Sequence, residues 1–338
     1  MARVRWRDLM GVREVGLLLV LLGLVLVLSV AAPGFLSWPN LSGVLVNVSV
    51  VAISAVGMTM VIITGGIDIS VGSILAVSAL LVGQAAKAGT GLWQAIALGL
   101  LIGAALGGIN GLLVAYGRIP AIIVTLATMS TYRGINFILS HGAWVVGLPP
   151  YFTALGQTNF LGLQIPAWIM LGVAVIGWYI LTQTRFGRSV YAVGGNMQGA
   201  YLAGIKIPRV QFLVFLVSGL LTGLAATVYT ARFGLVQINT GMGYELNVIA
   251  AVVIGGTSIM GGSGSIQGAI LGAIFMGVVS NALVLLRISA FWQGVVVGIL
   301  ILGAVIMDSS IRASMLRAVS IHSIGYRGAA EPTDGRER

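Results

Sequence analysis

The sequence predicts an all-α membrane protein with about ten transmembrane helices, some of them short or broken. Three observations support this prediction: 58% of the 338 residues are hydrophobic, the mean hydropathy is +1.05, and only 8% are charged. So few charges could not cover a water-soluble globule, since soluble domains have roughly 25% charged residues. The 49 glycines favour close packing of membrane helices. This composition excludes a soluble enzyme, a nucleic-acid-binding module and a disordered chain.

Stretches of about 20 apolar residues, enough to cross a bilayer, define the expected spans. They are 15–32, 41–64, 71–86, 92–116, 121–140, 167–183, 208–231, 246–262, 265–285 and 292–308. Two of them, 71–86 and 246–262, are short and flanked by glycine, which is typical of broken or re-entrant helices. The chain therefore divides into an N-terminal segment 1–14, a transmembrane domain 15–308 and a basic tail 309–338. The first apolar stretch exceeds the 7–15 residues of a cleavable signal core, so we expect it to be retained.

The distribution of positive charge predicts the orientation of the chain. If both termini are cytoplasmic, the ten spans place all but four of the 18 Lys and Arg residues on the cytoplasmic side. The four exceptions are Lys87, Arg133, Arg232 and Arg287. Such a skew is what the positive-inside rule expects. Segment 141–166 would then be external, where its aromatic residues form either an interfacial belt or a docking surface. Segment 184–207 would be cytoplasmic.

Acidic residues are rare within the transmembrane domain, where ionisable groups are costly unless they face a cavity or a partner. Only Asp68 and Glu245 lie between Glu14 and Asp308. Asp68 and Ser70 follow a glycine pair, and they could cap the next helix, contact a substrate or act in gating. Glu245 could supply the negative charge of a first helical turn.

Three further polar residues interrupt the apolar spans. Arg133 could extend toward the membrane surface or pair with a carboxylate. Asn110 and Asn281 could hydrogen-bond between helices or contact a ligand. Together with Asp68, Ser70 and Glu245, these residues are the candidates for translocation or gating.

The cytoplasmic segment 184–207 contains a short predicted helix. Asn196 suits its N-cap and Gly204 its C-terminal stop. Helical spacing places Met197, Ala200, Tyr201 and Gly204 on one small, apolar face. Such a face suits a docking helix, and the alternative is a connector packed on its own spans.

Several chemistries lack the residues that they require. The chain has no cysteine, and neither lysine lies in a P-loop, so ATP would have to bind elsewhere. No cluster of histidines or carboxylates suggests a metal site or an intramembrane enzyme. We expect no catalytic residue, no metal, no cofactor and no nucleic-acid partner. The scarcity of charges along the spans favours a neutral substrate.

Four stretches resemble the permease subunits of bacterial ABC importers for ribose, rhamnose, autoinducer-2 and related sugars. They are 65–73 (GGIDISVGS), 125–134, 184–205 and 243–273 (GYELNVIAAVVIGGTSIMGGSGSIQGAILGA). With the intervening hydrophobic pattern, the resemblance covers residues 41–308. Within it, 282–293, and 132–134 together with Trp144, look more like the autoinducer-2 and rhamnose branch than the ribose branch.

The resemblance implies a non-enzymatic translocation subunit in the bacterial inner membrane that moves a small neutral sugar from the periplasm to the cytoplasm. It further implies a second permease copy or paralogue, ATP-binding subunits, a periplasmic sugar-binding protein and surrounding lipid. The segment Gly195–Gly204 matches the coupling helix of such importers, with Asn196, Ala200 and Gly204 as contacts for the ATPase. The alternative is an ion-coupled secondary transporter that uses Asp68, Glu245 and Arg133 as a relay.

Overall fold

The computed structural model describes residues 6–289, 291–304 and 306, with side chains from residue 14 onward. The extreme N-terminus and the predicted basic tail 309–338 lie outside the described residues. The helices are α1 (Trp6–Ala31), α2 (Trp38–Ile63), α3 (Val71–Lys87), α4 (Leu92–Ala115), α5 (Ala121–Ser140), α6 (Pro150–Gln157), α7 (Ile165–Gln183), α8 (Arg185–Gly195), α9 (Met197–Leu202), α10 (Ile207–Phe233), α11 (Tyr244–Ile254), α12 (Ile266–Leu285) and α13 (Phe291–Ala304). Between α6 and α7, β1 (Asn159–Phe160) and β2 (Leu163–Gln164) form an antiparallel hairpin.

The prediction of an all-α polytopic membrane protein is confirmed. Within the described residues, seven helices are long and apolar enough to cross a membrane, and α3, α11 and α13 are shorter apolar helices. Within the stretch 246–262, which the sequence predicts to be short or broken, helix α11 contains only 11 residues. At 1.5 Å per residue it is about 16 Å long, roughly half of a hydrocarbon core. The segment 255–265 that follows is irregular, so ten is an approximate count of full spans.

The bundle has two ends, which we define by the short elements outside the long helices. The lower end contains α8, α9 and the end of α2 at Ile63, whose carbonyl oxygen accepts a hydrogen bond from Gly262 N–H. The upper end contains α6 and the β-hairpin, where Tyr151 donates hydrogen bonds to the carbonyl oxygens of Ala86 and Thr90 beyond α3. Long helices therefore alternate in direction between the two ends.

Helix α2 forms the centre of the bundle. Apolar residues lie on all sides of it, as expected of a helix surrounded by other helices. Of its most apolar 18-residue stretch, 89% is buried. It packs against α7, α10, α11 and α12. Helix α1 lies at the periphery. Only 11% of its apolar stretch Glu14–Ala31 is buried, and leucines are exposed along its length. The described helices thus form layers around α2, and the outermost surface is suited to lipid.

Helices α4 and α10 approach each other at a stripe of glycines. Every fourth residue of α4 from Gly99 to Gly111 is glycine, and Gly219 and Gly223 face this stripe from α10. A Cβ at Gly103 would overlap the carbonyl oxygen of Gly219 and lie 2.8 Å from the Cα of Gly223. The two backbones are therefore in direct contact, as small residues permit between membrane helices.

The backbone between α10 and α11 turns back into the bundle without forming a helix. Val236 pairs with Val145 through two backbone hydrogen bonds, and the chain then descends to Gly241, beside Gly72 at the start of α3. Irregular backbone at membrane depth must be hydrogen-bonded within the protein or line a cavity. Side chains of α5 donate hydrogen bonds to the backbone of this re-entrant segment, 234–243, and form part of the candidate site.

Candidate functional site

Asp68 is the centre of a buried polar network at the corner between α2 and α3. Its Oδ1 accepts hydrogen bonds from the Ser70 N–H at 3.0 Å and the Ser70 hydroxyl at 2.6 Å. The Ser70 hydroxyl in turn accepts a hydrogen bond from Asn110 Nδ2 on α4 at 2.7 Å. All three side chains are fully buried. Asp68 therefore fixes the turn before α3, while Ser70, the N-cap residue, directs its hydroxyl to Asp68 and Asn110 instead of capping the helix itself.

The other carboxylate oxygen of Asp68 is buried and has no hydrogen-bond partner among the described residues. An unpaired buried oxygen of this kind costs about 1–3 kcal/mol or more when it is charged. Tyr132 of α5 lies 3.5 Å from Asn110 Oδ1 and donates a hydrogen bond to the Leu106 carbonyl oxygen at 3.0 Å. The network thus joins the α2–α3 corner to α4 and α5.

Arg133 binds the re-entrant segment. Its Nη1 donates a hydrogen bond to the Thr240 carbonyl oxygen at 2.8 Å, and its Nη2 donates one to the Gly241 carbonyl oxygen at 3.2 Å. One turn further along α5, Asn136 Nδ2 donates to the Ile238 carbonyl oxygen at 3.3 Å. Arg133 also interacts electrostatically with Glu245. The sequence offers two roles for Arg133, extension toward the membrane surface or pairing with a carboxylate. In the structure its hydrogen-bond partners are instead backbone carbonyl oxygens.

Glu245 connects the re-entrant segment with the Asp68 corner. It lies in the first turn of α11, as the sequence predicts. Its Oε2 is buried and packs so closely on Gly72 that a Cβ there would overlap it. Five of the candidates therefore surround the start of α3, where the α2–α3 corner, the re-entrant segment and the first turn of α11 meet. They are Asp68, Ser70, Asn110, Arg133 and Glu245.

Asn281 lies apart from this cluster. Its amide and that of Asn40 on α2 exchange two hydrogen bonds, of 2.8 and 3.0 Å. The pair joins the upper ends of α2 and α12. Asn281 thus makes the interhelical contact that the sequence offers as one alternative, and it also lines a pocket described below.

The segment between α7 and α10 contains two helices at the lower end. Asn196 caps α9 by accepting a hydrogen bond from Gly199 N–H at 2.8 Å, and Gly204 follows the helix with a φ of +80°. Both helix-boundary predictions are confirmed. Ala200, however, is buried against the permease's own core, whereas Met197, Tyr201 and Leu202 are 47%, 70% and 79% exposed. The exposed apolar face of α9 consists of these three residues, so Ala200 belongs to the opposite side.

Helix α8 packs directly on two glycine-rich corners at the lower end of the bundle. One corner, 64–70, joins α2 to α3, and the other, 255–265, joins α11 to α12. A Cβ at Gly194 would overlap the carbonyl oxygen of Ile63, and Tyr191 donates a hydrogen bond to the Gly264 carbonyl oxygen at 2.7 Å. Burial and the nearby charge of Glu14 raise the pKa of Tyr191 to about 12, so its hydroxyl remains a donor at neutral pH. Segment 184–207 is therefore attached to the corner that carries Asp68.

The sequence hypotheses omit several polar residues of the site. The clearest is a stripe on α5 at helical spacing, formed by Thr125, Thr128, Tyr132 and Asn136, all of which are buried. The 3.6-residue period of polar side chains in an apolar span would have indicated it. Asn47 and Asn247 are also omitted, although they are amides within apolar segments like Asn110. The two residues lie on α2 and α11, two hundred residues apart in sequence.

A bundle of long apolar helices with a re-entrant segment and a buried polar and charged cluster is typical of membrane transport proteins. The sequence family described as branched-chain amino acid transport system / permease component matches residues 40–305. The chain belongs to this family. It is a permease, a transport component and not an enzyme, and a multi-pass membrane protein.

Curated relatives are similar over most of the chain. The ribose import permease protein RbsC of Bacillus subtilis is 44% identical over 88% of this chain and 92% of its own length. RbsC of Haemophilus influenzae is 41% identical over 86% and 91%, respectively. The autoinducer 2 import system permease protein LsrC of Salmonella typhi is 38% identical over 90% and 88%. The two RbsC proteins are slightly more identical to this chain than LsrC is. Over the whole chain, the comparisons therefore do not single out the autoinducer-2 branch that residues 282–293 resemble. No solved structure is significantly similar.

Proposed function

We propose that the chain is the transmembrane permease subunit of an ATP-driven importer that moves a small neutral sugar, such as ribose, rhamnose or autoinducer-2, into the cytoplasm. The observation that carries this proposal is the exposed apolar face of α9, formed by Met197, Tyr201 and Leu202. A solvated six-residue helix gains nothing from exposing large apolar side chains, whereas an interface that buries them gains about 25 cal/mol per Å². The relatives named as sugar permeases support the choice of cargo.

The contacts of α8 suggest how ATP hydrolysis would act on the membrane domain. A displacement of α9 by an ATP-binding subunit would move α8, which is in backbone contact with Ile63 through Gly194. Ile63 ends α2 five residues before Asp68, and Gly262 and Gly264 belong to the corner before α12. Both corners would therefore move together with the coupling segment. Asp68, Ser70, Asn110, Arg133 and Glu245 would hold the start of α3 in one arrangement until that movement occurs.

The complete transporter would contain further chains. We propose ATP-binding subunits at the lower end, a periplasmic sugar-binding protein at the upper end, and a second permease copy or paralogue beside this one. This chain itself would bind no cofactor, metal or nucleic acid. Of the upper-end aromatic residues, Trp144, Tyr151 and Phe160 are exposed, whereas Phe152 is buried. The exposed three could lie in the membrane interface or contact the binding protein.

The coupling role of α9 can be tested with the double variant Tyr201→Ser/Leu202→Ser. Because both side chains are exposed, the isolated permease should fold normally. Loss of two apolar anchors from an interface should weaken assembly with the ATP-binding subunits at least about tenfold. Co-purification and ATP hydrolysis stimulated by loaded binding protein would be measured.

Val20→Ser is the matched control, because Val20 is 58% exposed in the middle of the peripheral helix α1, away from both ends of the bundle. Wild-type assembly and stimulated hydrolysis in the double variant would reduce segment 184–207 to a connector. Ala200→Arg is unsuitable for this test, since it would disturb the permease's own packing.

The proposed inner-membrane orientation, with both termini in the cytoplasm, predicts the accessibility of introduced thiols. The chain contains no cysteine, so single substitutions can be labelled without background. Tyr201→Cys should react with an impermeant thiol reagent only from the cytoplasmic side, and Leu161→Cys only from the periplasmic side. Labelling of both positions from the same side would contradict the helix alternation described above.

A further inference from the structure

A pocket of about 370 Å³ lies between α2, α11, α12 and α13, separate from the Asp68 cluster. Its volume falls within the roughly 300–1,000 Å³ of typical small-molecule sites. None of its lining residues is charged, and its polar lining is almost entirely carboxamide. The polar residues are Asn47, Asn247, Ser280, Asn281 and Gln293.

The pocket lies partway along the helices and opens at the surface of the described bundle, where Val284 is 73% exposed. Asn47 is nine residues from the start of α2 at Trp38, or about 14 Å along the helix. Asn247 lies in the first turn of the half-length helix α11, whose Tyr244 hydroxyl is hydrogen-bonded to Val50 and Ser54 in the middle of α2. Neutral amides at this depth are costly unless they contact a partner or water.

The amides differ in how much hydrogen-bonding capacity they use within the protein. Asn47 is exposed to the pocket, and no hydrogen bond joins its side chain to any described residue. Asn247 uses one N–H, in a long 3.3 Å bond to the Gly243 carbonyl oxygen. Asn281 is held by Asn40, and Gln293 Nε2 donates to the Ser280 hydroxyl at 2.9 Å. Asn281 and Gln293 are therefore held by other side chains of the protein. The amide of Asn47 has its hydrogen-bonding groups available for a ligand.

The rest of the lining is aliphatic. Val48, Val51 and Met276 face the pocket, and α12 approaches α2 so closely that a Cβ at Gly277 would overlap the Val48 side chain. Amide donors and acceptors beside aliphatic groups match a ring compound with hydroxyls and C–H faces. A zwitterionic amino acid would leave its ammonium and carboxylate groups without opposite charges in this lining, at a large desolvation cost.

Resting on the proposed function, we propose that this amide-lined pocket is a site on the translocation path at which the permease contacts its neutral polyhydroxyl cargo. Asn47 is the principal hydrogen-bonding contact. Asn247 adds an acceptor, and Asn281, held by Asn40, presents its amide in a fixed orientation. The site makes few hydrogen bonds, so cargo would pass through it without being retained.

The first test asks whether the pocket contains water. Asn47→Cys and Ser280→Cys should react in the assembled transporter with a charged, water-soluble methanethiosulfonate. Val20→Cys is the control, because Val20 is 58% exposed on the peripheral helix α1, where lipid excludes the reagent. Absence of reaction at both pocket positions throughout the transport cycle would overturn the proposal, since a path for sugar must be hydrated.

The second test asks whether the amide contacts the cargo. Asn47→Leu removes the hydrogen bonds but keeps the branched side chain of four heavy atoms, and Asn47→Gln retains an amide. We expect the ribose taken up per ATP hydrolysed to fall at least about tenfold in Asn47→Leu, as loss of one or two hydrogen bonds predicts, and to recover substantially in Asn47→Gln. Equal uptake in all three proteins would overturn the proposal. Absence of sugar uptake by the unaltered transporter would instead refute the proposed function, and thiol labelling would still report whether the pocket is aqueous.

Discussion

Replacement of Gly103 by alanine is expected to destabilise the permease by at least about 1–3 kcal/mol, although alanine is the better helix former. The added methyl group would overlap the Gly219 carbonyl oxygen and lie 2.8 Å from the Cα and N atoms of Gly223. These obstacles are backbone atoms, so no side-chain rotation can relieve the overlap. Helices α4 and α10 would have to separate along their whole glycine stripe. Thermal unfolding of the detergent-purified permease would measure the effect.

Gly134→Ala is the matched control for this substitution. Gly134 also lies within a membrane helix, α5, but a Cβ there would have no neighbour within 4 Å. The control should be neutral or stabilised by up to about 1 kcal/mol, as expected for Gly to Ala in a helix. Opposite signs for the two variants would identify backbone contact as the cause. Equal stability of both variants would mean that α4 and α10 are not in direct contact.

Replacement of Arg133 by methionine is expected to cost about 3 kcal/mol or more, since hydrogen bonds from charged groups contribute roughly 1.5–3 kcal/mol each. The variant loses the bonds to the Thr240 and Gly241 carbonyl oxygens and the electrostatic partner of Glu245. The Thr240 carbonyl oxygen would then have no donor among the described residues, and the Gly241 carbonyl oxygen would keep only a long 3.4 Å bond from the Tyr244 N–H. Arg133→Lys should recover part of the stability, because one ammonium group cannot reproduce two divergent donors.

Arg188→Met serves as the control for the loss of a positive charge, because Arg188 is exposed on α8. It should leave the unfolding temperature of the isolated permease nearly unchanged. A permease with Arg133→Met that is as stable as the wild type but no longer transports would show that Arg133 acts on cargo or gating and does not support the backbone.

The elements of the fold that depend on local pattern could be predicted from the sequence. Apolar stretches located the long helices, and the boundaries of α9 followed from Asn196 and Gly204, because capping is decided within a few residues. The flanking glycines also indicated that the stretch 246–262 is short or broken, although they did not give the exact end of α11. The helix ends at Ile254, immediately before Gly255 and Gly256, and the glycine-rich segment that follows packs against Ile63 and Gly65.

The candidate site shows the same division. The rarity of charge in the spans identified Asp68, Arg133 and Glu245, and the structure brings them together. Their partners could not be derived, since Arg133 binds carbonyls that lie over one hundred residues away. Helical spacing likewise placed Ala200 and Tyr201 on one face of α9, but only the packing of α9 on the bundle decides which side is buried.

The energy source and cargo of transport test the account most directly. Proteoliposomes would contain the permease with its ATP-binding subunits, loaded binding protein outside, and ATP or a non-hydrolysable analogue inside. The account predicts uptake of labelled ribose, rhamnose or autoinducer-2 only with hydrolysable ATP, and no loss of uptake when an uncoupler collapses the ion gradients. Uptake driven by an ion gradient without the ATP-binding subunits, or uptake of an amino acid with no sugar transported, would contradict it.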